Sequence, residues 1–425
     1  MFWLILIYSL VFIYLAWKKT DRAIYLILAT LPGFLIRSSA FGVPFTLLEV
    51  MIVLLFLIFL LKNKLLWLKD FKKNIFFWPL ICWLVISIVA VLVSPNLRAA
   101  AGIWKAYFLE PLFLFIIITQ TINSRQQIFN IFWSLGVSAA YLSLIAIAQK
   151  LLLPTYQFLG PIPQAFLNSN GTVDRVVSIL GYPNALGLYL GPIIILFTGF
   201  IFLENKNIFQ QLLKFSIIMI SFAAIILAKS EGAILAILMV WLIWGLLYKK
   251  TRLFSLAAIT AGIIIFFNNH VIQEFILTKI FLRDWSGFIR TLIWGETWNM
   301  LKDHWLWGAG LAGYQTVIIP YHAVHANDFE IYLYPHNIIF NFWSELGFFG
   351  LIVFLWLALT YLIKNLIILW QGKNKILSLT LIMVLVEILI HGLVDVPYFK
   401  NDLSILFWLF LALTALSYKI KINAV

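Results

Sequence analysis

Pro335-His336-Asn337, followed by Glu345-Leu346-Gly347 and Gly350, opens an apolar run that continues to Ile363. A spanning helix needs about 20 mostly apolar residues, so 337–363 reads as a membrane helix with a histidine at its mouth. Pro335 ends a loop and Asn337 begins the helix, which would place His336 in the first turn. Imidazole is the side chain most readily poised to move a proton near neutral pH. The partial positive charge of a helix N-terminus favours the neutral form that acts as a base. The plainer alternative is a histidine that only caps the helix.

The rest of the chain repeats this apolar pattern. Of 425 residues, 63% are hydrophobic and 11% charged, with a mean hydropathy of +1.01. Spans are expected near 2–17, 23–36, 43–61, 75–93, 106–122, 128–152, 183–203, 212–228, 232–248, 253–268, 337–363, 376–396 and 403–418. The fold class is therefore an all-α polytopic membrane protein of about 12–13 transmembrane helices. The alternating ten-residue strands of an outer-membrane barrel are absent. The first run has no small-residue cleavage site behind it and reads as a retained helix. Pro32-Gly33 breaks the second run, which reads as re-entrant or tilted.

A net charge of +13 could suggest nucleic acid, but its distribution excludes that class. Lys18-Lys19, the Lys62 to Lys73 cluster, Arg125, Lys206, Lys249-Lys250, Lys364 with Lys373 and Lys375, and Lys419 with Lys421 fall on alternate turns. The positive-inside rule makes those turns cytoplasmic. The single cysteine, Cys82, lies in an apolar run, so neither a disulfide framework nor a thiolate metal site is expected. The chain divides into N-terminal helices (1–74), a bundle with an outer loop at 154–182 (75–267), a large outer loop (268–335) and C-terminal helices (336–425). The large loop is rich in Trp, with helical spacing from Trp285 to Lys302, and is expected to lie as helices on the outer membrane surface.

All six histidines fall on or near the outer side in this topology, which concentrates the polar chemistry there. Arg290 in the large loop and Arg175 before Gly181-Tyr182-Pro183-Asn184 offer planar forks suited to phosphate, or else plain snorkelling and loop charges. Lys229-Ser230-Glu231-Gly232 forms a very short outer turn whose charges either meet a partner or pair with each other. His391 and Asp395, four apart, could orient each other on one helix face. Three further signals are weak. Gly308, Gly310 and Gly313 mimic a dinucleotide fingerprint without its strand. His322, His325 and Asp328 make an incomplete metal set. Asn170-Gly171-Thr172 is a glycosylation pattern frequent by chance.

These motifs together resemble the O-antigen ligase and polymerase superfamily. The resemblance rests on Pro335-His336-Asn337 with Glu345-Leu346-Gly347 and Gly350, on Arg290 to Trp294, and on Asp303-His304-Trp305-Leu306-Trp307-Gly308-Ala309-Gly310. The turn at Gly181 to Asn184 and the helix carrying His391 to Asp395 extend it over roughly 75–418. Two departures stand out. Glu231 occupies a position where the family often has arginine, and Trp305 replaces a proline.

The resemblance implies a GT-C-type bundle that works without a metal or other cofactor on the outer face of the cytoplasmic (inner) membrane. It further implies an inverting transfer of a glycan from undecaprenyl diphosphate to a hydroxyl acceptor, the lipid A core in a ligase. His336 would be the base, with Arg290, Arg175 and Lys229 on the diphosphate. Asn337, Glu345, His391 and Asp395 would support them. The alternatives are a surface-polysaccharide polymerase, a protein O-oligosaccharyltransferase and, from another class, a glycolipid transporter. Transport fits less well, since internal repeats and midplane charges are not evident.

Overall fold

The computed structural model describes residues 2–40, 42–64, 66–151, 166–168, 173–203, 207–322 and 333–420. The sequon at Asn170, the loop residues His325 and Asp328, and the basic residues Lys206 and Lys421 lie outside them.

Apolar runs form helices because an α-helix satisfies every backbone hydrogen bond within its own segment. In chain order these are α1 (Phe2–Lys18), α2 (Thr20–Ala29), α3 (Leu47–Asn63), α4 (Trp67–Phe71), α5 (Phe77–Val93), α6 (Leu97–Trp104), α7 (Glu110–Thr121), α8 (Arg125–Leu151) and α9 (Pro183–Leu203). There follow α10 (Ile208–Leu227), α11 (Glu231–Leu247), α12 (Arg252–Asn268), α13 (His270–Ile280), α14 (Trp285–Asp303), α15 (Tyr314–Val317), α16 (Ile338–Trp370), α17 (Lys375–Gly392) and α18 (Asn401–Lys419). A π-helical turn, Lys105–Leu109, joins α6 to α7. Seven of the helical stretches are long and apolar enough to cross a membrane by themselves, and several more apolar helices stop at 17 residues or fewer. The protein is a polytopic helical membrane protein.

Helix α9 is the hub of the bundle, buried along most of its length. Its glycines make that possible. A Cβ on Gly191 would collide with the Glu387 carboxylate, and one on Gly199 with Thr380, so α17 lies directly on the α9 backbone.

Polar contacts between helix ends sort into two sets. Lys62 donates to Ala16 O (3.2 Å) and Trp17 O (2.6 Å), Arg125 to Leu203 O (2.8 Å), and Lys419 to Thr119 O (3.4 Å). These join ends expected inside. Arg98 donates to Gly42 O (3.1 Å), Lys150 to Val173 O (2.6 Å), and Arg290 to Val394 O (2.9 Å). These join ends expected outside. None of these contacts crosses between the sets, as the expected alternation of spans requires.

Three expected spans take a different form. The second ends at Ala29, and Leu31–Leu35 continue as a 3-10 turn because Pro32 cannot extend the α-helical ladder. The third does not begin at 43. Val43–Thr46 pairs antiparallel with Arg37–Ala40 as the hairpin β1–β2, and Thr46 caps α3 by accepting from Glu49 N at 3.1 Å. The span from 337 is broken at Gly347 (φ 72°, ψ −179°), leaving a short outer piece before the long helix.

Beyond α12 the chain turns through 103° into α13 and α14, so these helices lie across the bundle rather than along it. Trp285, Trp298, Trp305 and Trp307 are exposed there, as interfacial tryptophans would be.

Candidate active site

The break at Gly347 receives the loop that follows α14. Ala309 N donates to Ser344 O (2.6 Å) and Phe348 N to Leu306 O (3.0 Å). Gly347 occupies a backbone region essentially reserved for glycine, and a Cβ there would sit 2.3 Å from Leu306 O. Gly308 is equally constrained by Ser344 O on its own side. Of the three glycines that mimic a nucleotide fingerprint, Gly308 packs against α16, Gly310 against the end of α5 at Ala90 and Ser94, and Gly313 against Ala309 O of its own loop. Buried Glu345 completes the joint by accepting from Ala312 N at 2.8 Å. Its place is in the scaffold of the site.

On this scaffold the turn before α16 is held from three directions. Trp294 Nε1 donates to Pro335 O (2.9 Å), and Asn337 Nδ2 to Leu393 O (3.0 Å). Asn337 Oδ1 accepts from Ile339 N (2.9 Å) and Phe340 N (3.2 Å). Asn337 is thus the helix cap, which removes the capping alternative for His336. His336 lies one residue before the cap instead of in the first turn, with a left-handed φ of 48°. Such strain persists only where surroundings over-determine it and concentrates at functional sites.

The imidazole meets Asp395: His336 Nδ1 lies 3.4 Å from Asp395 Oδ1. The carboxylate is nearly buried and also accepts from Val396 N at 2.9 Å. Burial alone would raise its pKa. The bond to His336, the charges of His336 and His391, and the Val396 N–H outweigh it and hold the carboxyl well below the usual range. The expected His391–Asp395 pair does not form, because α17 ends at Gly392 and Asp395 lies in the loop beyond. His391 is buried, with Nδ1 3.6 Å from Glu387 Oε1 on its own helix.

Two arginines share the electrostatic surroundings of Asp395. Arg290 on α14 donates from Nε to Val394 O (2.9 Å), next to Asp395, and from NH1 to Ser286 Oγ (2.5 Å). Arg175 donates to Ala228 O (3.0 Å), Asn184 Oδ1 (3.0 Å) and Lys229 O (3.3 Å). Burial lowers the Arg175 pKa, the charges of Glu231, Asp174 and Asp395 raise it, and Arg290 lowers it. The two guanidiniums and Asp395 therefore share one electrostatic neighbourhood.

At the turn 229–231 the charges meet partners on other segments. Lys229 bonds Asp174 Oδ1 (2.7 Å), and Glu231 bonds Lys279 of α13 (2.6 Å), so the two do not pair with each other. Lys279 also reaches Asp284 (2.8 Å). Sequence reading passed over Asp174, Asn184, Lys279 and Trp294 as site residues. Only Asn184 and Trp294 carried a signal, their places in the quoted motifs. His322 pairs with Glu296 (3.1 Å). Among the described residues no group of three or more His, Cys, Asp or Glu is placed to hold a metal ion.

Residues 216–355 match the family model described as O-antigen ligase. The match includes Lys229, Arg290, Trp294, His336, Asn337 and Glu345, and it bears out the resemblance drawn from the motifs around Pro335. Arg175, His391 and Asp395 lie outside the matched stretch. No curated protein matches the chain.

Proposed function

We propose that this membrane protein transfers a glycan from undecaprenyl diphosphate to a hydroxyl acceptor at the outer face of the cytoplasmic membrane, as an O-antigen ligase does with the lipid A core. The observation that carries the reading is the His336–Asp395 pair, with Arg290 bonded to the carbonyl next to Asp395 and Arg175 in the same electrostatic neighbourhood.

An ionised Asp395 beside Nδ1 selects the tautomer with the proton on Nδ1 and the lone pair on Nε2. That lone pair takes the acceptor's hydroxyl proton as the oxygen attacks the anomeric carbon. The bond to the diphosphate breaks, and its electron pair leaves with the phosphate oxygen. Attack opposite the leaving group inverts the anomeric centre. Diphosphate is already a good leaving group, so the demand falls on cations that hold its charge. Arg290 and Arg175 suit that role because guanidinium matches phosphate oxygens bidentately. Lys229, with its head held by Asp174, is a supporting cation at the rim. None of these steps calls on a metal.

The test is His336→Ala in liposomes supplied with lipid-linked glycan and acceptor. General-base catalysis contributes about 100- to 10,000-fold, and a loss in that range is expected. Near-normal transfer would sink the base assignment. Lipid-linked single repeats supplied without acceptor should yield no ladder of products; a ladder would make the protein a polymerase.

A further inference from the structure

A second concavity lies away from His336. It is a groove of about 520 Å³ between the β1–β2 hairpin, the α6–α7 segment and Asn401 at the start of α18. Arg37 lines it from β1, Arg98 from α6 and Lys105 from the start of the π-helical turn. Such turns are uncommon and are frequently found at functional sites. Glu49 is the one acidic side chain among the lining residues, and it bonds Lys105 at 2.5 Å. Glu110, just past the turn, is buried and does not line the groove. Three cations against one carboxylate leave the lining with two positive charges in excess. Arg98 holds the hairpin by donating to Gly42 O (3.1 Å). Arg37 is exposed and makes no hydrogen bond or ion pair among the described residues.

Apolar side chains surround these charges. Pro44, Phe45 and Ile103 line the groove itself. Ile36, Val43 and Leu97, each next in sequence to a lining residue, are exposed, and apolar surface of this kind marks contact with a membrane or a partner. Toward His336 the groove is walled off. The Tyr107 ring meets Phe399 edge-on at 6.4 Å, and Phe399 packs on Tyr334 at 5.8 Å, two residues before His336. An occupant is thereby held apart from the His336–Asp395 pair, so it is bound there and not transformed.

We propose that this groove binds an anionic glycerophospholipid of the surrounding membrane as a structural ligand. Its phosphodiester lies on Arg37 and Arg98, and an acyl chain follows Phe45 and Ile103. Guanidinium forks match phosphate oxygens bidentately, and basic pockets between membrane helices bind anionic headgroups. A zwitterionic lipid brings its own cation and would leave the excess charge unbalanced. A free anion in water would make no use of the apolar lining. The bound lipid ties β1 to α6 across the groove, as the Arg98 bond to Gly42 does directly. The proposal goes beyond the transfer reading above and does not depend on it.

Lipid competition tests it. The full chain is released from vesicles of equal parts phosphatidylcholine and phosphatidylglycerol, and the lipid it retains is read by native mass spectrometry. Retention of phosphatidylglycerol in preference to phosphatidylcholine is expected. Arg37→Gln should weaken that retention about fivefold, the equivalent of roughly 1 kcal/mol for one basic residue, and Arg37→Lys should keep most of it. Lys249→Gln, at a helix end on the side expected inside, should leave retention unchanged, as should His336→Ala. Equal retention of the two lipids by the parent chain would overturn the proposal, whether or not the variants fold. So would displacement of the lipid by millimolar inorganic phosphate, which would make the groove a site for a free anion. Retention unaltered by Arg37→Gln, or lost in His336→Ala, would place the lipid elsewhere and overturn it too. Normal transfer by His336→Ala with phosphatidylglycerol still retained would remove the base assignment and leave the lipid site standing.

Discussion

His336 takes its orientation from Asp395, and the chemistry of that pair can be tested without touching the imidazole. The Asp395 carboxyl is ionised well below the ordinary carboxylate range. A carboxyl depressed on folding contributes stability that is complete above its unfolded pKa of about 3.9 and is lost as pH falls through the lower folded value. The aspartate is therefore charged at every pH at which the protein would work. Asp395→Asn should lower kcat by up to about 10,000-fold, the loss found where an aspartate that fixes the tautomer of a catalytic imidazole is replaced by asparagine. It should do so across the whole pH–rate profile. A loss confined to the alkaline side, where the parent carboxyl alone would be charged, would mean that Asp395 titrates in the working range, against this assignment. Sequence proximity could not have produced the pairing. His391 stands four residues before Asp395, whereas His336 stands 59 before it, and the end of α17 at Gly392 turns Asp395 away from its helical neighbour.

Among the elements, the joint between the 304–313 loop and α16 does most to place the site. It unites two motifs that are well separated along the chain, and it does so through backbone contacts that admit no side chain at Gly308 or Gly347. Gly347→Ala should cost about 1–3 kcal/mol for the backbone conformation alone, with a further penalty for the clash at Leu306 O. A lowered thermal midpoint of the purified protein, with transfer lost in parallel, is the expected result. A variant as stable as the parent would show that the break in α16 is not required. The glycines were visible in the sequence, but their reason was not, because only the approach of another backbone gives a missing Cβ its meaning. The β1–β2 hairpin is the element that hydropathy misread. Val43 to Thr46 are mostly apolar and run straight into α3, so an apolar count cannot separate strand from helix start. The Thr46-x-x-Glu49 spacing was the available sign of the true boundary.

At the scale of the whole molecule, the two sets of helix-end contacts make a labelling prediction. The chain has a single cysteine, Cys82, which is replaced first. A cysteine at Lys229 should then react with a membrane-impermeant maleimide in intact cells, and one at Lys249 only after the membrane is opened. Both positions are solvent-exposed at their helix ends, so a reversed pattern would invert the assigned sidedness, and labelling of both in intact cells would break the alternation. The helical membrane fold and the helix at Trp285 to Lys302 were determined by the sequence alone. Hydropathy and basic turns act locally, and a bilayer leaves an apolar segment few alternatives to a helix. Which charges meet was decided only by the tertiary structure. Asp395 meets His336, Lys229 meets Asp174, Glu231 meets Lys279, and Arg37 is left facing a groove. Such pairings depend on how helix ends far apart in the chain are packed side by side, and a linear pattern does not carry that arrangement.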